Sequence, residues 1–360
     1  MYLALRDIRF AKGRFILMGG VIALITLLLV MLSGLTAGLA WQNTSAIDGL
    51  RAAGLQRVAF GAPPGNDPKV SFTESQVTAD QLQAHRAGGA AAEPLGILQA
   101  RATAAATASV ALFGTETGSS LPPAPVRAGE TVLGADTAEA LGVGPGDSLS
   151  IGGTRLRVAA TAPETFYSHT PVAWIALADW QRLAHLDDTG PGPAPIATAI
   201  VSDASADAAE AADAAAGTVS TDVRGSYAGL PSYSSENGSL LMMQAFLYGI
   251  SALVIVAFLA VWTVQRTRDI AVLKALGAGS GFVLGDALGQ AGLVLAGGAA
   301  VGGLVAAAAG LAVAGVAPFV LTAATVLLPV LGVVLLGLAG AAVTVSRVTR
   351  VDPLLALGGS

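Results

Sequence analysis

Hydrophobic positions along this chain fall into two regimes. Four stretches, 15–40, 240–264, 282–315 and 319–345, are apolar almost without interruption, and each is long enough to cross a bilayer core as a helix. Between the first and second, apolar residues come instead in short runs divided by Gly, Pro and Ala-rich breaks, the pattern of small strands and helices. The expected fold is a membrane protein with four transmembrane α-helices, one plus three, and a large α+β extracytoplasmic domain between the first and second. The expected divisions are a cytoplasmic amphipathic segment at 1–14, a first span with its stalk at 15–47, the extracytoplasmic domain at 48–237 and a second span at 238–264. A surface helix at 265–281, spans at 282–316 and 317–346, and a tail at 347–360 complete the chain.

Within the large segment, 69–72, 96–100 and 109–113 have strand character and 78–86 is helical. The best-patterned part is 131–160. It holds a short strand at 132–133, a helix at 135–141, a turn at 144–147, and a hairpin of 148–151 with 155–158 through Gly152-Gly153. Further on, 171–175 and 196–201 are expected as strands, 178–183 and 204–216 as helices, and 218–223 as a closing strand. The polar region 225–238 is expected to be irregular.

Charge supplies the orientation. Arg6, Arg9, Lys12 and Arg14 precede the first span, Arg266, Arg268 and Lys274 lie between the second and third, and Arg347 and Arg350 follow the fourth. Those flanks carry nine basic residues against Asp7, Asp269 and Asp352, whereas 48–236 carries ten basic and twenty acidic residues. Basic flanks stay cytoplasmic, so both termini are expected inside the cell membrane and the acidic segment outside. The first apolar run is about twice a signal-peptide core, which favours a retained span over a cleaved leader. Leu3, Leu5 and Ile8 among the basic residues suit an amphipathic helix on lipid, or a plain topology anchor. The chain has no cysteine, so the outer domain is expected to hold by packing rather than by disulfides.

Several chemistries find no support. No G-x-x-x-x-G-K-[ST] phosphate loop occurs, so any ATP-driven motor must be another chain, and the protein is expected not to be an enzyme. His85, His169 and His185 stand apart in sequence without cysteines, the pattern of surface or core histidines rather than a metal site. The acidic outer segment argues against nucleic acid as a partner. In the membrane, Gly34/Gly38 and Gly298/Gly302 are small-xxx-small pairs where helices can approach closely, and Asp286 with Gln290 is a polar pair near the inner end of the third span.

Between the second and third spans, Ile270, Leu273 and Lys274 fall at i, i+3 and i+4, an amphipathic surface helix that Gly277 ends. The run Arg268-Asp269-Ile270-Ala271-Val272-Leu273-Lys274-Ala275-Leu276-Gly277-Ala278, with the one-plus-three layout and the 131–160 unit, resembles the FtsX-like and MacB-like permeases of ABC transporters. The ending Arg350-Val351-Asp352-Pro353-Leu354-Leu355-Ala356-Leu357 is similar to that family's tail. The resemblance implies a separate ABC ATPase subunit that binds ATP and Mg, and a homodimeric permease in a two-plus-two complex. It also implies that Arg268, Asp269, Ile270, Leu273, Lys274, Leu276 and Gly277 form the coupling helix.

A narrower resemblance, carried by 4–9, 32–39, 42–47 and 235–239, is to haem-exporting members of the family. It makes haem the expected transported ligand, with no intrinsic cofactor. Tyr233, Glu236, Met242, Met243, Phe246 and Tyr248 cluster at the outer end of the second span, where Met and Tyr are known axial ligands of haem iron and Phe packs on its plane. Against this, Met and aromatic residues near a bilayer interface usually serve packing or anchoring. Export of lipoprotein, antibiotic or peptide, or mechanical activation of a cell-wall hydrolase, stays open beside haem export.

Overall fold

The computed structural model describes residues 12–186, 193–231, 233–265, 272, 279–313 and 315–348. Among them four helices are long and apolar enough to cross a membrane. They are α1, Lys12–Ala52; α6, Tyr233–Gln265; α7, Ser280–Val313; and α8, Ala323–Val348. The chain divides into two compact units, 1–39 with 238–360, and 40–237. The basic segment at 1–11, the coupling stretch at 266–271 and 273–278, and the tail from 349 lie outside the described residues.

In the membrane unit, Met18, Ile22 and Leu29 of α1 pack with Ile255 and Leu259 of α6, Leu295 and Ala299 of α7, and Val333 and Ala341 of α8. Glycine sets the closest approach. A Cβ on Gly302 would lie 2.2 Å from the Ala23 carbonyl oxygen, and one on Gly298 would lie 2.8 Å from that of Gly19, so this pair joins α7 to α1. The Gly34/Gly38 pair serves a different purpose from the helix contact expected. It receives the α7–α8 connection: the Phe319 ring sits against Gly34 and Gly310, the Pro318 carbonyl against Gly38, and the Val320 N–H donates to the Gly34 carbonyl at 3.1 Å. Buried Gln290 donates to Asp286 at 2.9 Å, one turn along the same helix.

The second unit is an α+β domain. Its first elements are β1 (Arg57–Phe60), β2 (Val77–Thr78), α2 (Ala79–Ala87), β3 (Ala92–Thr103), β4 (Thr107–Thr115), β5 (Glu130–Gly134) and α3 (Ala135–Leu141). Next come β6 (Ser148–Ile151), β7 (Thr154–Ala162), β8 (Phe166–Tyr167), β9 (Thr170–Ala176) and α4 (Leu177–Leu183). The set closes with β10 (Pro195–Ala197), β11 (Ala199–Ser202), α5 (Ala206–Ala216) and β12 (Val219–Asp222). The 131–160 unit has the expected order, and its hairpin turns at Gly152 and Gly153, both at positive φ, as a two-residue loop requires.

Three expectations differ. Residues 69–72 form no strand; they loop beneath the sheet, where Phe72 packs edge-on against Phe60 and Tyr167. The 196–201 run is broken at Thr198, whose side chain hydroxyl accepts the Ile97 N–H at 2.8 Å. Residues 225–238 are largely helical, with a 3-10 turn at Gly225–Gly229 and α6 beginning at Tyr233, because the Ser and Asn there are compatible with a helix start.

The main sheet runs β12-β1-β11-β3-β4-β9-β5-β7-β6, and β6 pairs again with the far end of β3, Ala102 opposite Ile151. Twelve-residue β3 therefore serves two parts of one sheet: its start pairs with β11, while its end closes a small barrel of β3, β4, β9, β5, β7 and β6. Leu112, Leu133, Leu156 and Ile175 are part of one core. A second core, with Phe60, Phe113, Tyr167 and Trp174, also takes in Ala46, Ile47 and Leu50 from the end of α1. Residues 40–52 of α1 thus belong to the α+β domain by packing, although the sequence pattern carries the first span and its stalk to 47.

Candidate functional site

The hairpin of β8 and β9 turns over two residues, Ser168 and His169, both at positive φ, 47° and 62°. A two-residue turn with that geometry is ordinarily given to Asn-Gly or Gly-Gly, so Ser-His is held there against its backbone preference. What holds it is α1. The Ser168 N–H donates to the Asn43 carbonyl at 3.1 Å, the His169 N–H to the Gln42 carbonyl at 2.9 Å, and the Phe166 N–H to Ser45 Oγ at 2.8 Å. Trp41 stacks edge-on against Phe166 with ring centres 5.1 Å apart.

This docking brings three polar side chains together. His169 Nε2 lies 2.8 Å and Asn43 Nδ2 2.9 Å from the same oxygen, Oε2 of Glu236, and 2.9 Å from each other. With the ring proton on Nε2, both groups donate to the carboxylate, an assignment that satisfies all three atoms. Asn43 is 2% exposed, and its Oδ1, like Ser168 Oγ, is buried without a partner among the described residues. The hydrogen bond from His169 is the main cause that holds the Glu236 carboxyl below its usual range; burial pulls the other way, and Asn43 adds to the lowering. Glu236 precedes the apolar run that starts at Leu240.

A second tie lies beside it. Tyr227 Oη donates to Asp48 on α1, Thr44 Oγ1 donates to the same carboxylate at 3.0 Å, and Tyr233 packs edge-on against Tyr227 at 5.5 Å. Burial, then the Asp48 contact, push the Tyr227 hydroxyl well above its ordinary value.

The six expected ligand residues all lie on α6, but the structure distributes them among three environments. Tyr233 and Glu236 are engaged in the α+β domain as described. Met242, Met243 and Phe246 are exposed, at 62%, 50% and 66%, and continue through Ile250 and Leu253 as one stripe at three- and four-residue steps. Tyr248 is set off that stripe. It is half-buried with the membrane-unit core, its ring edge against Gly332 of α8. Arg268, Asp269, Ile270, Leu273, Lys274, Leu276 and Gly277 lie outside the described residues; Val272, between them, is helical and exposed.

His169 and Asn43 were missed by sequence reasoning. They stand 126 residues apart, and Glu236 is 193 residues from Asn43, so no local pattern links them. Among the described residues no three His, Asp or Glu side chains gather as a metal site.

Comparisons with known proteins agree with this architecture. Residues 15–218 match the model of the MacB-like periplasmic core domain, and residues 241–353 match that of the FtsX-like permease C-terminal domain. Two curated proteins of Staphylococcus epidermidis strains, each described as a putative hemin transport system permease protein HrtB, are 28% identical over 130 residues. That match covers 36% of this chain and 37% of the relatives, so the chain aligns with little more than a third of their length. The extracellular domain of the noncanonical ABC-type transporter YknZ from Gram-positive bacteria is also similar in part, at 13% identity and a TM-score of 0.31, over 47% of this chain and 98% of that one.

Proposed function

Because this chain belongs to the family of MacB-like, FtsX-like ABC transporter permeases, a multi-pass membrane subunit whose ATPase is a separate chain, we propose that its cargo is haem. One observation carries the reading: α6 presents Met242, Met243 and Phe246 together on an exposed face, within three helical turns beyond Glu236. Thioether sulfur is an iron ligand, a phenyl ring packs on a flat macrocycle, and a carboxylate supplies an oxygen donor nearby. The partial similarity to proteins described as putative hemin permeases points to the same cargo.

In this reading both termini face the cytoplasm, and two copies of the chain set their α6 faces across from one another. Haem enters between them from the outer leaflet. Closure of two ATPase subunits acts on the helix that includes Asp269, Leu273 and Leu276, tilts the membrane helices and narrows the cleft, so that cargo leaves outward without a polar pore through the membrane. Transfer out of an apolar cleft suits an amphipathic molecule that is already membrane-soluble.

The test is spectroscopic. Full-length protein in lipid nanodiscs should develop a Soret band with haemin, and Met243→Ala combined with Glu236→Gln should abolish it. A wild-type protein without such a band contradicts haem as cargo and leaves lipoprotein, antibiotic or peptide export to be tested, whereas a band that survives those changes removes Met243 and Glu236 from the site.

A further inference from the structure

One oxygen of the Glu236 carboxylate needed for that ligand role is already engaged. Two N–H donors, from His169 and Asn43, converge on one of its oxygens at 2.8 and 2.9 Å, and an oxygen that receives two hydrogen bonds is a weak donor to iron. We propose that Asn43 and His169 are positioning residues that hold Oε2 of Glu236 away from the cargo, and that both carboxylate oxygens become available only when this clamp opens. The inference rests on the export reading above and names its control.

Three features of the clamp suit it to release. It joins the segments through which the chain enters and leaves the α+β domain, the end of α1 with Asn43 and the start of α6 with Glu236, using a hairpin tip as the link. Any separation of those two helical ends therefore has to break it. The tip is also held in an unfavourable backbone conformation at Ser168 and His169, maintained by the carbonyls of Gln42 and Asn43 rather than by its own preference. Lastly, the closed arrangement leaves Asn43 Oδ1 and Ser168 Oγ buried without a partner among the described residues, a cost that a rearranged hairpin relieves. The closed state is thus favourable at Glu236 and unfavourable a few ångströms away, the balance expected of an element with two arrangements.

Equilibrium titration of the full-length permease in nanodiscs with haemin, followed at the Soret band, tests this. His169→Ala and Asn43→Ala should each bind haemin roughly two- to tenfold more tightly than wild type, the range set by one net hydrogen bond. His169→Gln, which keeps a donor, should return towards the wild-type affinity, and Glu236→Gln should lose the tight phase. A merely structural role predicts weaker binding, never tighter. If wild type binds and Glu236→Gln does not, while His169→Ala and Asn43→Ala bind as wild type or more weakly, the clamp is overturned and the export reading stands. If wild type shows no Soret band, the export reading fails and the withholding role fails with it. Should His169→Ala not yield folded protein, the comparison of Asn43→Ala with His169→Gln carries the same decision.

Discussion

Gly302 of α7 meets Ala23 of α1 so closely that a Cβ at Gly302 would lie 2.2 Å from the Ala23 carbonyl oxygen. Backbone cannot yield as the end of a side chain can. Gly302→Ala is therefore expected to push the two helices apart and to destabilise the membrane unit by about 1–3 kcal/mol. Gly297→Ala, where a Cβ meets nothing within 4 Å, serves as its control and should be near neutral. Thermal unfolding of both in detergent decides the matter.

Trp180 occupies a bed made by two glycines on neighbouring strands. A Cβ on Gly96 would come within 2.3 Å of the indole ring, and one on Gly114 within 2.5 Å of the Trp180 Cβ. Trp180→Ala should cost about 3–5 kcal/mol through the cavity it leaves. Trp180→Phe should cost distinctly less, because the indole N–H has no partner to lose among the described residues. Chemical denaturation of the full-length protein in micelles, followed by fluorescence of the remaining tryptophans, would show the order.

His85 predicts a pH dependence. It is 3% exposed, its Nε2 donates to Thr218 Oγ1 at 2.9 Å, and Thr218 donates onward to Asp213 at 2.6 Å. Burial holds this imidazole below its ordinary value, and the opposing pull of Asp213 is smaller. The unfolded chain then takes up a proton near pH ~6.5 that the folded domain refuses until lower pH, so in that window the unfolded state binds more protons. Stability should be level above about pH 6.5 and decline as the pH falls below it. His85→Gln, which retains a donor and does not titrate, should flatten that decline in thermal midpoints measured across the range.

For the proposed coupling helix, Leu273→Asp with Leu276→Asp should abolish ATP-driven export while haemin binding by the permease alone is retained. Export that continues at the wild-type rate would remove these positions from any contact with the motor.

The membrane helices were legible because an uninterrupted apolar run has one structural solution in lipid, all backbone bonds satisfied within the segment. The 131–160 unit was legible because its turns are written in glycine. Strand β1, only four residues long, carried too little pattern to be seen, and the helix start at Tyr233 was hidden by serines and an asparagine that suit loops as well as helix starts. The candidate site was only half visible. Methionines and a phenylalanine at helical spacing announce themselves, but the partners of Glu236 come from a helix end and a hairpin tip far away in sequence. A histidine that looks isolated along the chain is placed by tertiary contact alone.

Strand β3 also dictates the order in which the domain can be finished. Its neighbours arrive during synthesis one after another, β4 at 107–115, β6 at 148–151 and β11 at 199–202. Each pairing closes a longer loop than the last, and late closures are the slow ones. The outermost strand, β12, ends at Asp222, eleven residues before α6 begins at Tyr233. A newborn chain therefore waits with the start of β3 unpaired until β11 at 199–202 has been made, and truncations before Ala176, the end of β9, should strand an aggregation-prone half-barrel.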